Sequence, residues 1–168
     1  MTQPKGFAMA KAVKTNVLRH LDAAHIPYET REYAIEEDVF DGKIVAAKTG
    51  LDPAIVWKTL VLTADDRSHL VCVIPVEKEL DLKAVARVSG HKSVSMLPQK
   101  DLLALTGYVR GGCSPIGMKK AFPTYFDEAV NELERISVSA GVRGCQVLLS
   151  AADLLRETGA KTGALCRE

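Results

Sequence analysis

Apolar positions recur at helical spacing at Val17, Leu18, Leu21 and Ala24, which predicts an amphipathic helix from about Lys14 to His25, ended by Ile26-Pro27. Tyr28 to Ile35 alternates apolar and polar positions as a strand does. Asp41 is placed to cap a short helix through Lys48, with Gly50 stopping it. Val56 to Thr63 and His69 to Val76 read as two strands around the turn Asp65-Asp66-Arg67-Ser68. Asp81 caps a helix carrying Leu82, Val85 and Ala86, and Gly90 ends it. Pro98 suits a first helical turn ahead of Leu102, Leu103 and Leu105, with Gly107 after them. A strand starts at about Thr124, and Ile136 to Ala140 pairs with Cys145 to Leu149 as a hairpin around Gly141-Val142-Arg143-Gly144. Ser150 and Asp153 have the spacing of a capping box that opens a helix through Glu157. Helices scattered between strand pairs, rather than strictly alternating with strands, predict an α+β fold with a mixed, largely antiparallel sheet.

No repeat, linker or low-complexity segment divides the chain, so residues 1–168 read as one domain with a ragged arm at 1–12. Composition is that of a water-soluble domain, 47% hydrophobic and 26% charged. No apolar run approaches the ~20 residues that cross a bilayer. The first residues are too short and broken for a signal peptide, and the expected location is cytoplasmic, with no membrane partner. A net charge of +1 does not mark an autonomous nucleic-acid binder, so any RNA contact must come from a local basic patch or from a partner's grip. Cys72, Cys113, Cys145 and Cys166 are widely spaced without a Cys-x-x-Cys pair, which argues against a metal site or disulfide framework. No cofactor is implied.

Two runs carry the chemistry. Trp57-Lys58-Thr59-Leu60-Val61 sets a lysine within a strand, on the face it shares with Val56, Leu60 and Leu62. Burying an ammonium alone is costly, so Lys58 needs an anionic or strongly polar partner. The alternative is an edge strand whose lysine stem covers apolar surface while its head reaches water. The second run, Thr106 to Gly117, places Gly111 and Gly112 where backbone can approach a ligand, and Pro115 stiffens it. Such a loop can cradle an oxyanion or phosphate, although a tight connection explains the glycines equally. It is not a P-loop, because Gly-Lys-Ser/Thr is absent. Ser114 and Cys113 are candidate nucleophiles without an identifiable base. Tyr33 and Phe40 read as half-buried packing residues, and Asp153 as a capping acid, unless the fold brings them to the pocket. The four histidines show no ligand spacing.

Together, Trp57-Lys58-Thr59-Leu60, the run Thr106 to Gly117 with Gly111 and Pro115 in a Gly-x-x-x-Pro pattern, and Ser139-Ala140-Gly141-Val142-Arg143-Gly144 resemble the YbaK family of aminoacyl-tRNA deacylases. That family is related to the editing domain inserted in bacterial prolyl-tRNA synthetases. The resemblance runs from about Val13 to Cys166. Ala140 stands where relatives often have glycine, and Cys113 where they commonly have an aliphatic residue.

The resemblance implies a partly closed mixed sheet flanked by helices. It implies removal of cysteine from Cys-tRNA(Pro), with Cys-tRNA(Cys) as a further substrate, beside prolyl-tRNA synthetase as a partner that supplies tRNA grip. The family's functional residues map onto Lys58 as the catalytic residue and onto Tyr33, Phe40, Gly111, Ser114, Pro115 and Asp153 as substrate contacts, with the Gly112 amide beside Gly111 as a further one. In the implied reaction the thiol of the bound cysteine attacks its own carbonyl, while loop amides stabilise the oxyanion. Two other readings stay open. One is clearance of another small aminoacyl-tRNA, such as Ala-tRNA(Pro), by water; the other is a non-catalytic tRNA- or synthetase-binding module.

Overall fold

In this computed structural model, which describes residues 14–35 and 42–168, the helical spacing at Val17, Leu18 and Leu21 produces α1 (Asn16–Ala23). All three side chains are buried, and Thr15 caps the helix by accepting the Leu18 N–H at 3.2 Å. After α1 the chain turns into β1 (Tyr28–Glu32), which stops three residues short of the expected Ile35. Helix α2 (Gly42–Thr49) follows; its expected cap, Asp41, lies outside the described residues. The apolar runs become β2 (Trp57–Ala64) and β3 (His69–Pro75), antiparallel around the predicted turn. Asp81 accepts the Lys83 and Ala84 N–H groups to open α3 (Leu82–Ser89), and Gly90 closes it in the left-handed conformation.

Strand β4 (Val94–Met96) comes next, then α4 (Leu102–Thr106), β5 (Thr124–Asp127) and the hairpin β6 (Arg135–Ser139) and β7 (Cys145–Ser150). Ser150 accepts the Asp153 N–H at 3.2 Å and starts α5 (Ala151–Thr158). The last strand is β8 (Lys161–Gly163). Neither three-residue strand was expected. Among the described residues, no helix is long and apolar enough to cross a membrane.

The architecture is the expected α+β, with four of six strand pairings antiparallel among the described residues. It is two open sheets rather than one partly closed sheet. One runs β1-β7-β6, the other β4-β2-β3-β5-β8, with β3, β5 and β8 parallel. The sheets meet at one parallel bridge, Val56 to Ser137. A large apolar cluster draws on both, with Trp57, Val61 and Phe126 from one and Ile136, Val138 and Val147 from the other. A second cluster covers the opposite face of β2 and β3, where Leu62, Leu70 and Ile74 meet Leu80, Val85 and Leu165.

Strand β2 is therefore apolar on both faces, and Lys58 shares its face with Leu60 and Leu62, as the period of two requires. Register explains why a hollow opens beside it. On one edge β2 pairs with β3 throughout, Lys58 opposite Ile74 and Leu60 opposite Cys72. On the other edge, β4 pairs only with Leu62 to Ala64, and the Leu97 N–H reaches the Val61 carbonyl at 3.0 Å. Between Val61 and the bridge at Val56, the edge at Lys58 to Leu60 faces no strand among the described residues. The two sheets part there.

Candidate active site

The parting of the sheets leaves a cavity of about 440 Å³, of ordinary size for a small-ligand site. Lys58 and Thr59 of β2 form one wall, and Gly111 with Cys113 another. Ser139 and Gln146 line it from the β6–β7 hairpin, and Tyr33 from the segment after β1. Helix α2 borders the cavity and is tied to that segment, because Lys48 donates to the Ala34 carbonyl at 3.0 Å and Arg31 to the Thr49 carbonyl at 3.3 Å.

Among the described residues, the charge lining the cavity is one-sided. Lys48, Lys58, Arg110 and Arg143 line the cavity, and among the described residues no Asp or Glu does. Lys58 is half-buried and makes no hydrogen bond or ion pair with any described residue. A cation placed on an apolar strand without a protein anion is arranged for an anionic or polar ligand.

The glycine loop is built from underneath. Ser114 is fully buried, and its hydroxyl accepts the Ile116 N–H at 3.4 Å, while Pro115 is buried beside it. Tyr108 lies beneath, its hydroxyl donating to the Ile116 carbonyl; burial pushes its pKa up to about 12, so that donor keeps its proton. The Gly112 N–H closes a turn by donating to the Val109 carbonyl at 2.9 Å. Gly111, at φ 86°, keeps an N–H without a partner among the described residues.

Of the residues expected at the site, the structure brings Lys58, Tyr33 and Gly111 to one cavity. Gly112, Ser114 and Pro115 are not in its lining; they belong to the loop that presents Gly111. Asp153 stands on α5 outside the lining, its carboxylate taken by Arg156 one turn on. Phe40 lies outside the described residues.

Sequence reasoning missed Gln146. It is 6% exposed, its amide oxygen accepts the buried Ser137 hydroxyl at 2.8 Å, and its amide nitrogen has no partner among the described residues. Buried polar groups are seldom left unpaired, so this donor on the cavity wall is a candidate contact for what enters. The available signal was a lone amide in the apolar run Cys145 to Leu149. Arg143, quoted only as part of a motif, also lines the cavity.

Among the described residues, no protein nucleophile is poised there. Cys113 lines the cavity, but burial pushes its thiol up to about 12, leaving it protonated near neutrality. No histidine is in the described lining to serve Ser139 or Thr59 as a base. Among the described residues, no three His, Cys, Asp or Glu side chains gather as metal ligands would.

Comparison with known proteins identifies the family. The aminoacyl-tRNA editing domain family matches residues 36–157. EbsC of Enterococcus faecalis, assigned as a Cys-tRNA(Pro)/Cys-tRNA(Cys) deacylase, is 46% identical over 145 residues, 86% of this chain and 88% of that protein. Proline–tRNA ligase of Shouchella clausii is 28% identical over 99 residues, 59% of this chain and 17% of the ligase. A crystal structure described as a trans-editing enzyme for prolyl-tRNA synthetase shares the fold, with a TM-score of 0.78 at 21% identity over 91% of this chain and 96% of that one. The chain belongs to the aminoacyl-tRNA editing domain family.

Proposed function

We propose that the protein is a trans-editing deacylase that releases cysteine from mischarged Cys-tRNA(Pro), and from Cys-tRNA(Cys), in the cytoplasm. The observation that carries this reading is Lys58, a half-buried cation without a protein partner among the described residues, lining the same cavity as the unpaired Gly111 amide. The 46% identity with EbsC supports the substrate.

The chemistry follows from what the lining lacks. The substrate's own thiol attacks its carbonyl carbon, forming the C–S bond of a strained cyclic thioester. The ester C–O bond breaks, and the thiol proton passes to the departing ribose oxygen. Holding thiol and carbonyl within contact supplies the entropic part of the acceleration. The Gly111 N–H and the Gln146 amide are the donors available for the developing oxyanion, a good donor being worth ~3 kcal/mol. Lys58 binds the terminal nucleotide or that growing charge, and Tyr33 orients the aminoacyl end. Prolyl-tRNA synthetase, as partner, holds the rest of the tRNA, which a chain of net charge +1 grips weakly.

A panel of cysteinyl-, alanyl-, prolyl- and seryl-tRNA tests this. Cysteinyl-tRNA is cleared and seryl-tRNA survives, because a hydroxyl is a far poorer nucleophile near neutral pH. Lys58→Ala lowers kcat/KM by roughly 10²-fold or more, the scale of losing one transition-state contact, with the fold intact by circular dichroism. Cys113→Ala stays active. Rapid clearance of seryl-tRNA, or a fully active Lys58→Ala, overturns the reading.

A further inference from the structure

We infer that a second cavity, on the other side of the β6–β7 turn, binds the unpaired nucleotides that precede the terminal one in the RNA 3′ end. This rests on the deacylase reading of the first cavity and extends its ligand beyond the esterified nucleoside.

The second cavity holds about 770 Å³ between α1, β1 and the turn at residues 141–144. That turn is a thin partition. On one side it packs on the glycine loop, where a Cβ on Gly112 would stand 3.1 Å from the Arg143 nitrogen and from Val142 backbone atoms. On the other it faces α1 and Tyr108, since a Cβ on Gly141 would meet Val17 at 3.0 Å and Tyr108 at 3.3 Å. Arg143, within the partition, lines both cavities. A chain whose last sugar sits by Lys58 can therefore pass Arg143 and enter the second hollow.

The chemistry of its walls suits a single strand. Period-two alternation brings Tyr28, Thr30 and Glu32 to one face of β1, and all three line the cavity; the Tyr28 ring, with the Lys14 ammonium 5.7 Å from its centroid, supplies the aromatic group a base stacks against. Arg19 lines the same wall, exposed, with a side chain that makes no hydrogen bond or ion pair among the described residues. Lys14 is already held by Asp22 at 2.6 Å, so Arg19 supplies the phosphate contact on this wall, with one carboxylate, Glu32, in the described lining. An aromatic ring and an arginine on one wall are the groups that sequence-tolerant single-strand sites use.

Two measurements on the full chain test this. Fluorescence anisotropy with a labelled RNA tetranucleotide ending in CCA reads the cavity directly. Deacylation of cysteinyl-tRNA against cysteinyl-adenosine, which lacks the preceding nucleotides, reads its consequence. Thr30→Trp fills the hollow from an exposed position, and Arg19→Glu reverses its free charge. Each is expected to weaken tetranucleotide binding at least fivefold and to raise KM for cysteinyl-tRNA, while kcat/KM for cysteinyl-adenosine stays within twofold of wild type. Equal tetranucleotide affinity in wild type and both variants overturns the proposal, as does an equal loss on both substrates. Binding that depends on Thr30 and Arg19 in a protein that deacylates nothing sustains the second cavity and removes the deacylase reading.

Discussion

At the scale of single residues, the site consists of groups whose partners are missing. Lys58 lacks an anion, the Gly111 N–H lacks an acceptor, and Gln146 uses only half of its amide, all among the described residues. Gln146 offers the sharpest separation of structure from function. Gln146→Met preserves length but leaves the buried Ser137 hydroxyl without its acceptor, which costs about 1–3 kcal/mol. Replacing both partners with apolar groups is nearly neutral, so Ser137→Ala/Gln146→Met should recover most of the lost stability in urea titrations. Activity should not follow. If the amide nitrogen serves the substrate, kcat/KM stays depressed about tenfold or more in both variants, and recovery of activity with stability would mark Gln146 as structural. Lys58 and Gly111 stood out in the sequence because one is a charge in an apolar strand and the other lies in a glycine run stiffened by Pro115. Asp153 was legible as part of the start of α5, where Ser150 accepts its N–H, but its pairing with Arg156 was not. Gln146 was overlooked because an amide in a strand signals nothing until its neighbours are placed.

At the scale of elements, the loop and the hairpin turn form one part. Gly112 is not in the left-handed region, so its requirement is for space: a Cβ would press on the backbone of Val142 and Arg143 at 3.1 Å. Backbone yields less readily than a side-chain tip, and overpacking of this kind costs about 1–3 kcal/mol. Gly112→Ala should lower the thermal midpoint and, by shifting Arg143 and Gly111 together, slow deacylation at least tenfold. Unchanged kinetics in a destabilised Gly112→Ala would show that the turn only supports the fold. The β2–β3 and β6–β7 hairpins and the capped helices α3 and α5 could be read from the chain because periodicity and end signals agree there. Strands β4 and β8 could not, since three residues are too few to show a period. Their neighbours define them: β4 extends from β2 through Leu62 and Met96, and β8 lies against β5 through Phe126 and Thr162.

At the scale of the molecule, two apolar clusters share β2 but have separate duties. The cluster drawing on both sheets surrounds the parting where the cavity opens. The second cluster is closed by the end of the chain: Leu165 is fully buried, its N–H donates to Asp127 at 3.0 Å, and its carbonyl accepts the Asp81 N–H at 2.8 Å. Asp81 is also the cap of α3, so the tail, that helix and β5 are fastened at one point. Leu165→Ala should leave those backbone bonds in place while opening a void among Leu62, Leu70 and Val85, a loss of about 2–5 kcal/mol. Leu165 does not line the catalytic cavity, so the variant that remains folded should retain near-wild-type kcat and KM on cysteinyl-tRNA at low temperature and fail only as its unfolding transition is approached. Lys58 projects on the face that this cluster covers, however, and that makes the test a demanding one. A fall in kcat at temperatures where circular dichroism shows full folding would mean that the tail's packing positions the lysine, and that the two clusters are coupled through β2.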